Sequence, residues 1–466
     1  SISSLGVGSG LDLSSILDSL TAAQKATLTP ISNQQSSFTA KLSAYGTLKS
    51  ALTTFQTANT ALSKADLFSA TSTTSSTTAF SATTAGNAIA GKYTISVTHL
   101  AQAQTLTTRT TRDDTKTAIA TSDSKLTIQQ GGDKDPITID ISAANSSLSG
   151  IRDAINNAKA GVSASIINVG NGEYRLSVTS NDTGLDNAMT LSVSGDDALQ
   201  SFMGYDASAS SNGMEVSVAA QNAQLTVNNV AIENSSNTIS DALENITLNL
   251  NDVTTGNQTL TITQDTSKAQ TAIKDWVNAY NSLIDTFSSL TKYTAVDAGA
   301  DSQSSSNGAL LGDSTLRTIQ TQLKSMLSNT VSSSSYKTLA QIGITTDPSD
   351  GKLELDADKL TAALKKDASG VGALIVGDGK KTGITTTIGS NLTSWLSTTG
   401  IIKAATDGVS KTLNKLTKDY NAASDRIDAQ VARYKEQFTQ LDVLMTSLNS
   451  TSSYLTQQFE NNSNSK

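Results

Sequence analysis

Every seventh residue between positions 413 and 455 is apolar: Leu413, Tyr420, Ile427, Tyr434, Leu441, Leu448 and Leu455 hold one register, uninterrupted by proline or glycine. A strict period of seven gathers such side chains into one narrow seam of a helix, and a seam that narrow is best covered by another helix. The half-heptad positions are mixed, with Leu416, Ala423 and Leu444 apolar but Gln430, Gln437, Thr451 and Gln458 polar, so the pairing they predict is conditional. Extended to Phe459, the helix would run about 70 Å. A matching pattern stands near the other terminus, where Leu28, Ile31, Phe38, Leu42, Tyr45, Leu52 and Phe55 recur at intervals of three, four and seven. Ahead of it Leu13, Ile16, Leu17 and Leu20 form a short apolar face, and Ser15 with Asp18 fits a capping box. Pro30 divides two helical pieces, because it lacks a backbone donor and disfavours helix at the residue before it. The two ends are expected to pair as a coiled coil; the alternative is that each packs only on its own domain.

Near Ser69 a Ser/Thr/Ala run ends the helical period, and alternation of apolar and polar residues begins. Tyr93, Ile95 and Val97 predict one strand. Leu126 with Ile128 and Ile137 with Ile139 and Ile141 predict a pair joined by a Gly131-Gly132 turn. Residues 162–169, Asn171-Gly172, then Tyr174, Leu176 and Val178 give the strongest hairpin signal, since Asn-Gly supplies the two positive φ angles of a type I′ turn. A helix over 149–158 precedes it, with Ile151 and Ile155 inward. Further strands are expected at 214–218, 225–232, 246–250 and 260–262, ending near Asp265. From Ala269 the helical period returns through Ile273, Trp276, Val277, Tyr280, Leu283, Ile284, Phe287 and Leu290. A linker over 298–308, a helix over 316–327 and a hairpin of Ile342 and Ile344 with Leu353 and Leu355 around Asp350-Gly351 follow. The simplest topology sets the β region in a loop of a helical body whose two termini return side by side.

Composition narrows the function classes. The 466 residues have room for three or four domains, and 33 Lys and Arg against 41 Asp and Glu give a formal charge of −8 with no basic stripe, which argues against nucleic acid. No apolar run approaches a membrane span. The first basic residue is Lys25, so a Sec-type signal is not expected. One His, no Cys and 4% aromatic residues leave little chemistry: no catalytic, cofactor-binding or metal site is expected, and His99 reads as a strand residue. Gly6-Val7-Gly8-Ser9-Gly10 lacks the preceding strand of a phosphate loop and reads as a flexible hinge. Gly379-Lys380-Lys381-Thr382 lacks the glycine and hydroxyl of a Walker loop, and residues 347–356 lack the alternating carboxylates of a calcium loop. Asp113-Asp114 and Asp196-Asp197 are neighbours in sequence, which does not make a glycosidase pair across a cleft.

Several segments resemble one family. Gly6-Val7-Gly8-Ser9-Gly10-Leu11-Asp12 followed by Ile16-Leu17-Asp18-Ser19-Leu20 is similar to the opening of the bacterial flagellar filament cap (hook-associated cap) proteins. Asp153-Ala154-Ile155-Asn156, leading through Gly161-Val162-Ser163-Ala164-Ser165 to Tyr174-Arg175-Leu176, resembles the Ile-Asn motif of flagellar hook-associated proteins. Asn237-Thr238-Ile239-Ser240-Asp241 with Ile246-Thr247-Leu248, Trp276-Val277-Asn278-Ala279-Tyr280-Asn281, and Tyr434-Lys435-Glu436-Gln437-Phe438 with Leu441 and Tyr454-Leu455 are similar to later parts of the cap protein, in order. The similarity is least over 107–140.

The resemblance implies an α+β multidomain protein: long N- and C-terminal helices pairing as a coiled-coil stalk (1–42 and 417–466), a helical leg (43–70 and 268–416), and a β-rich head of two subdomains inserted between them. Of these, an outer one (71–108 and 215–267) holds a nested one (109–214). It also implies a non-enzymatic ring of subunits, five on the filament, at the distal tip of the flagellum, secreted through the type III export channel, which promotes polymerisation of exported flagellin. Implied partners are other copies, flagellin, hook–filament junction proteins and an export chaperone at the C-terminal helix. The partner-binding seam is expected at Leu28, Ile31, Phe38, Leu42, Tyr45, Leu52, Leu413, Tyr420, Ile427, Tyr434, Leu441, Leu448, Leu455 and Phe459. The alternative function is a surface adhesin whose Ser/Thr-rich head binds host or glycan surfaces.

Overall fold

The chain opens on two helices, α1 (Leu13–Ala26) and α2 (Thr29–Leu62), and Pro30 sits in the first turn of α2, where its missing N–H would have no helical partner anyway. The cap of α1 is not the expected Ser15–Asp18 box. Asp12 takes that place, accepting from the Ser15 N–H at 3.1 Å, because Leu13 is already helical and buried. The structure, a computed structural model, describes residues 5–131, 134–300, 302–328 and 334–463.

There follow β1 (Thr71–Ser75), β2 (Phe80–Thr84), β3 (Gly91–His99), β4 (Thr105–Thr108), β5 (Ser124–Gln130), β6 (Ile137–Ile141), α3 (Leu148–Ala158), β7 (Val162–Gly170), β8 (Glu173–Ser180), β9 (Met189–Ser194), α4 (Asp197–Met203), β10 (Met214–Val218), β11 (Ala223–Val227), β12 (Val230–Asn234), β13 (Thr238–Leu243), β14 (Ile246–Leu250) and β15 (Gln258–Gln264). The last stretch comprises α5 (Ser267–Leu290), α6 (Ser314–Leu327), β16 (Ile344–Thr346), β17 (Leu353–Leu355), α7 (Ala357–Ile375), α8 (Ile384–Leu396) and α9 (Ile401–Ser463). The chain divides into two compact units: residues 66–268, and the two flanking stretches together.

The unit of residues 66–268 has two separate apolar cores. One lies among the sheet β1-β15-β3-β11-β12 and the sheet β13-β14-β2, with Ile95, Leu248 and Leu260 buried. The other lies among the sheets β10-β4-β8-β7 and β6-β5-β9, closed by α3 and α4, with Leu106, Leu126, Ile151, Ile155 and Leu176 buried. The Asn171-Gly172 hairpin forms as expected, with φ of 51° and 80°. β5 and β6 pair as expected, although Gly132 of their turn lies outside the described residues. The expected strand over 225–232 is instead two strands, β11 and β12. Asn228 and Asn229 turn the chain between them with φ of 49° and 64°, a reversal Asn can make without glycine. Asn156 clamps α3 to β7: its side-chain amide donates to the Ala164 carbonyl at 2.9 Å and accepts from the Ala164 N–H at 2.7 Å.

In the helical unit, Phe55, Trp276 and Tyr280 gather with ring centroids about 6 Å apart. Asn59, almost wholly buried, accepts from Trp276 Nε1 at 3.0 Å and donates to the Thr385 carbonyl at 2.8 Å, joining α2, α5 and α8. Phe55 therefore lies in this bundle core, and Leu52 is buried as well. Ile342 ends a 3-10 turn, and Ile344 alone begins the small hairpin. Helix α9 starts at Ile401, twelve residues earlier than the heptads indicate.

Candidate functional site

The two termini meet along α9, which packs against both α2 and α1. Gln35 Nε2 of α2 donates to Thr417 Oγ1 at 3.2 Å, while Ser9, before α1, touches Asp442. Numbers rise along one partner as they fall along the other, so the pairing is antiparallel.

The covered positions of α9 begin as the heptads predict: Val409, Leu413, Leu416, Tyr420, Ala423, Ile427 and Tyr434 are buried or half-buried. Leu28 and Tyr45 are buried on the N-terminal side, and Ile31, Phe38 and Leu42 are half-buried. Past Tyr434 the covered line passes to Phe438, Asp442 and Met445. Leu441, Leu448, Leu455 and Phe459 lie outside it, 37%, 53%, 48% and 72% exposed. The reason is geometric: an α-helix of 3.6 residues per turn drifts about 20° per heptad unless it supercoils. Here the covered line follows the helix. The expected seam is thus brought together in its first half and left bare in its second.

The end of the covered region is marked by the N-terminal glycine-rich turn. Expected as a flexible hinge, it is instead docked on α9. The Ser9 N–H donates to Asp442 Oδ1 at 2.9 Å, Asn449 Nδ2 donates to the Ser9 carbonyl at 3.3 Å, and the turn closes by Gly10 N–H to Gly6 O at 2.9 Å. A Cβ on Gly8 would lie 2.2 Å from Thr446 Oγ1, so only glycine lets the turn approach this closely. Hydrogen bonding from Ser9 holds the Asp442 carboxyl below the usual carboxylate range. The glycines look like punctuation in sequence, and only the fold shows what they approach.

A second anchor escaped the sequence. Asp313 caps α6 by accepting from the Leu316 N–H at 3.0 Å, and its other oxygen accepts from Tyr45 Oη at 2.7 Å and pairs with Lys41 at 3.1 Å. Burial pushes the Asp313 carboxyl upward, but the bonds from Tyr45, Leu316 and Lys41 outweigh it and leave it below the ordinary value. Burial, reinforced by Asp313, raises the Tyr45 phenol to about 12. The signal was legible: Gly312-Asp313-Ser314 stands at the N-cap position before an apolar period.

Among the described residues no group of three or more His, Cys, Asp or Glu is arranged to hold a metal ion, and no helix is long and apolar enough to cross a membrane.

Comparison with known proteins gives these surfaces a context. A family model described as the flagellar hook-associated protein 2 N-terminus matches residues 9–104, its C-terminal counterpart matches 220–450, and the flagellin hook IN motif matches 125–182. The chain is 99% identical over 466 residues, the whole of both proteins, to flagellar hook-associated protein 2 of Escherichia coli O157:H7. It is 51% identical over 462 residues, 98% of each, to that of Salmonella typhimurium strain LT2. A crystal structure of the D1-D2-D3 domains of the flagellar cap protein FliD from Escherichia coli superposes with a TM-score of 0.75 at 96% identity, over 79% of this chain and 99% of that one. None of these lends support to the adhesin reading.

Proposed function

The chain belongs to the flagellar hook-associated protein 2 family, and from that premise we infer that it caps the distal tip of the bacterial flagellar filament as a non-enzymatic assembly factor. It works outside the cell as a ring of copies, five on the filament, and promotes polymerisation of exported flagellin. Resemblance over the whole length carries this reading. The four-part division into stalk, leg, outer head and nested head belongs to the same reading, and the two separate cores within residues 66–268 support the last two parts.

The bare half of the seam suits such work. Leu441, Leu444, Leu448, Leu455 and Phe459 share one face of α9 and are exposed in the single chain. An apolar stripe of this kind serves helix-on-helix docking. It is the surface for the helical ends of flagellin and junction proteins, and before export for the chaperone. The test is complementation of a strain lacking this protein, which should release unpolymerised flagellin. Leu441, Leu448 and Leu455 changed together to Ser should fail to restore filaments and should lose chaperone capture on a pull-down. Normal filaments with intact capture would remove the stripe from the mechanism.

A further inference from the structure

Strand β7 is an edge of its four-stranded sheet, beyond which no further strand pairs among the described residues. Its partner β8 turns the polar groups of Tyr174 and Leu176 toward the β4 side: Tyr174 exchanges backbone bonds with Arg112 at 2.7 and 2.9 Å, and the Leu176 N–H donates to Thr108 Oγ1 at 3.1 Å. By antiparallel alternation the residues opposite them, Asn168 and Ile166, direct their own N–H and C=O away from β8. At Ala164 the same outward pair is taken up by the Asn156 amide. At Ile166 and Asn168 the outward pair has no protein partner among the described residues. An open edge of this kind is a template for another strand.

Proteins often blunt such edges with charge, and this one carries none; its register is irregular only past Asn168, between Asn168 and Gly170. The unit of residues 66–268 carries 20 Asp and Glu against 10 Lys and Arg, yet residues 161–172 include none of them. Ile167 and Val169 are 44% and 47% exposed there. Two copies of a unit with formal charge −10 repel across most of their surface. An uncharged strand edge is where that repulsion is weakest, and its donors and acceptors complement those of an identical edge.

We propose that the outer edge of β7 at Ile166–Asn168 is a self-association site, where the same edge of a second copy of this chain adds antiparallel about a two-fold axis at Ile167. Ile166 of one copy then exchanges backbone bonds with Asn168 of the other, continuing the sheet across the contact. The two Ile167 residues face each other as a non-hydrogen-bonded pair, with Cα atoms about 4.5 Å apart and Cβ atoms within disulfide reach. The contact is distinct from a ring interface, because ring neighbours are not related by a two-fold axis.

The chain contains no cysteine, which permits a clean test in the full-length protein. Ile167→Cys should give a disulfide-linked dimer on mild oxidation, lost on reduction. Ser163→Cys should remain monomeric on the same non-reducing gel, because this register sets it opposite residue 171 of the other copy. In sedimentation velocity, the parent should show a concentration-dependent two-fold association that Ile167→Lys lacks, with an unchanged circular dichroism spectrum. A monomeric Ile167→Cys, equal cross-linking of Ser163→Cys, or an undiminished dimer in Ile167→Lys would each overturn the proposal.

Discussion

Single side chains decide where the terminal helices stop pairing. The Gly6–Gly10 turn fits α9 because Gly8 lacks a side chain, so Gly8→Val should lift it. Hydrogen exchange over residues 6–13 should then quicken while that of α5 stays the same, and unaltered protection at 6–13 would refute the docking. Acid should act on the same contact. The Asp442 carboxyl is lowered by Ser9, so its contribution is complete above the ordinary Asp value of about 4 and is lost as pH falls through the lower native value. Tyr45 has the opposite sign. With its pKa raised to about 12, chiefly by burial, its contribution is complete below about 10 and declines as pH rises from there to about 12. Tyr45→Phe takes one donor from the partly buried Asp313 and should cost about 1–3 kcal/mol at neutral pH in denaturant unfolding. Part of the alkaline loss should persist in that variant, because burial holds Tyr280 at about 12 as well.

At the scale of elements, the two halves of α9 should behave differently. Ile427 is buried under the N-terminal helices and Leu448 is bare. Ile427→Ala should therefore destabilise the chain by about 2 kcal/mol or more, whereas Leu448→Ala should fall within about 0.5 kcal/mol of the parent. Equal losses in urea unfolding would contradict the assignment of covered and bare faces. The same elements show what a sequence can and cannot reveal. Strong local chemistry was legible: the Asn-Gly hairpin, the Pro30 break and the apolar period of α5 all follow from residues close together in the chain. The β11–β12 turn was not, since Asn228-Asn229 carries no glycine. Helices α7 and α8 were missed as well. Thr385, Thr386 and Thr387 make α8 a poor helix by propensity, and burial of Ile384, Ile388, Leu392 and Trp395 against the rest of its unit overrides that. The pairing of α9 with the N-terminal helices was legible, as were the covered residues of its first half; the second half was not, because the shift from Leu441 to Phe438, Asp442 and Met445 depends on whether the helix supercoils.

For the whole molecule, the division into two units carries its own prediction. Residues 66–268 form a continuous segment with two complete cores, so they should fold when expressed alone. Their circular dichroism should be β-rich with a cooperative melt; a molten fragment would mean that the cores depend on the flanking helices. The helical unit is built from both ends of the chain, and Asn59 bonds elements far apart in sequence. Its core cannot close until α8 has been made. The drift of the covered line along α9 has one more consequence. At about 100° per residue, the line of Phe438, Asp442 and Met445 and the stripe of Leu441, Leu448 and Phe459 lie roughly a quarter of a turn apart. The helix can therefore be grasped on its second side before it is released on its first. In a hand-over of that kind the full apolar circumference never meets water at once.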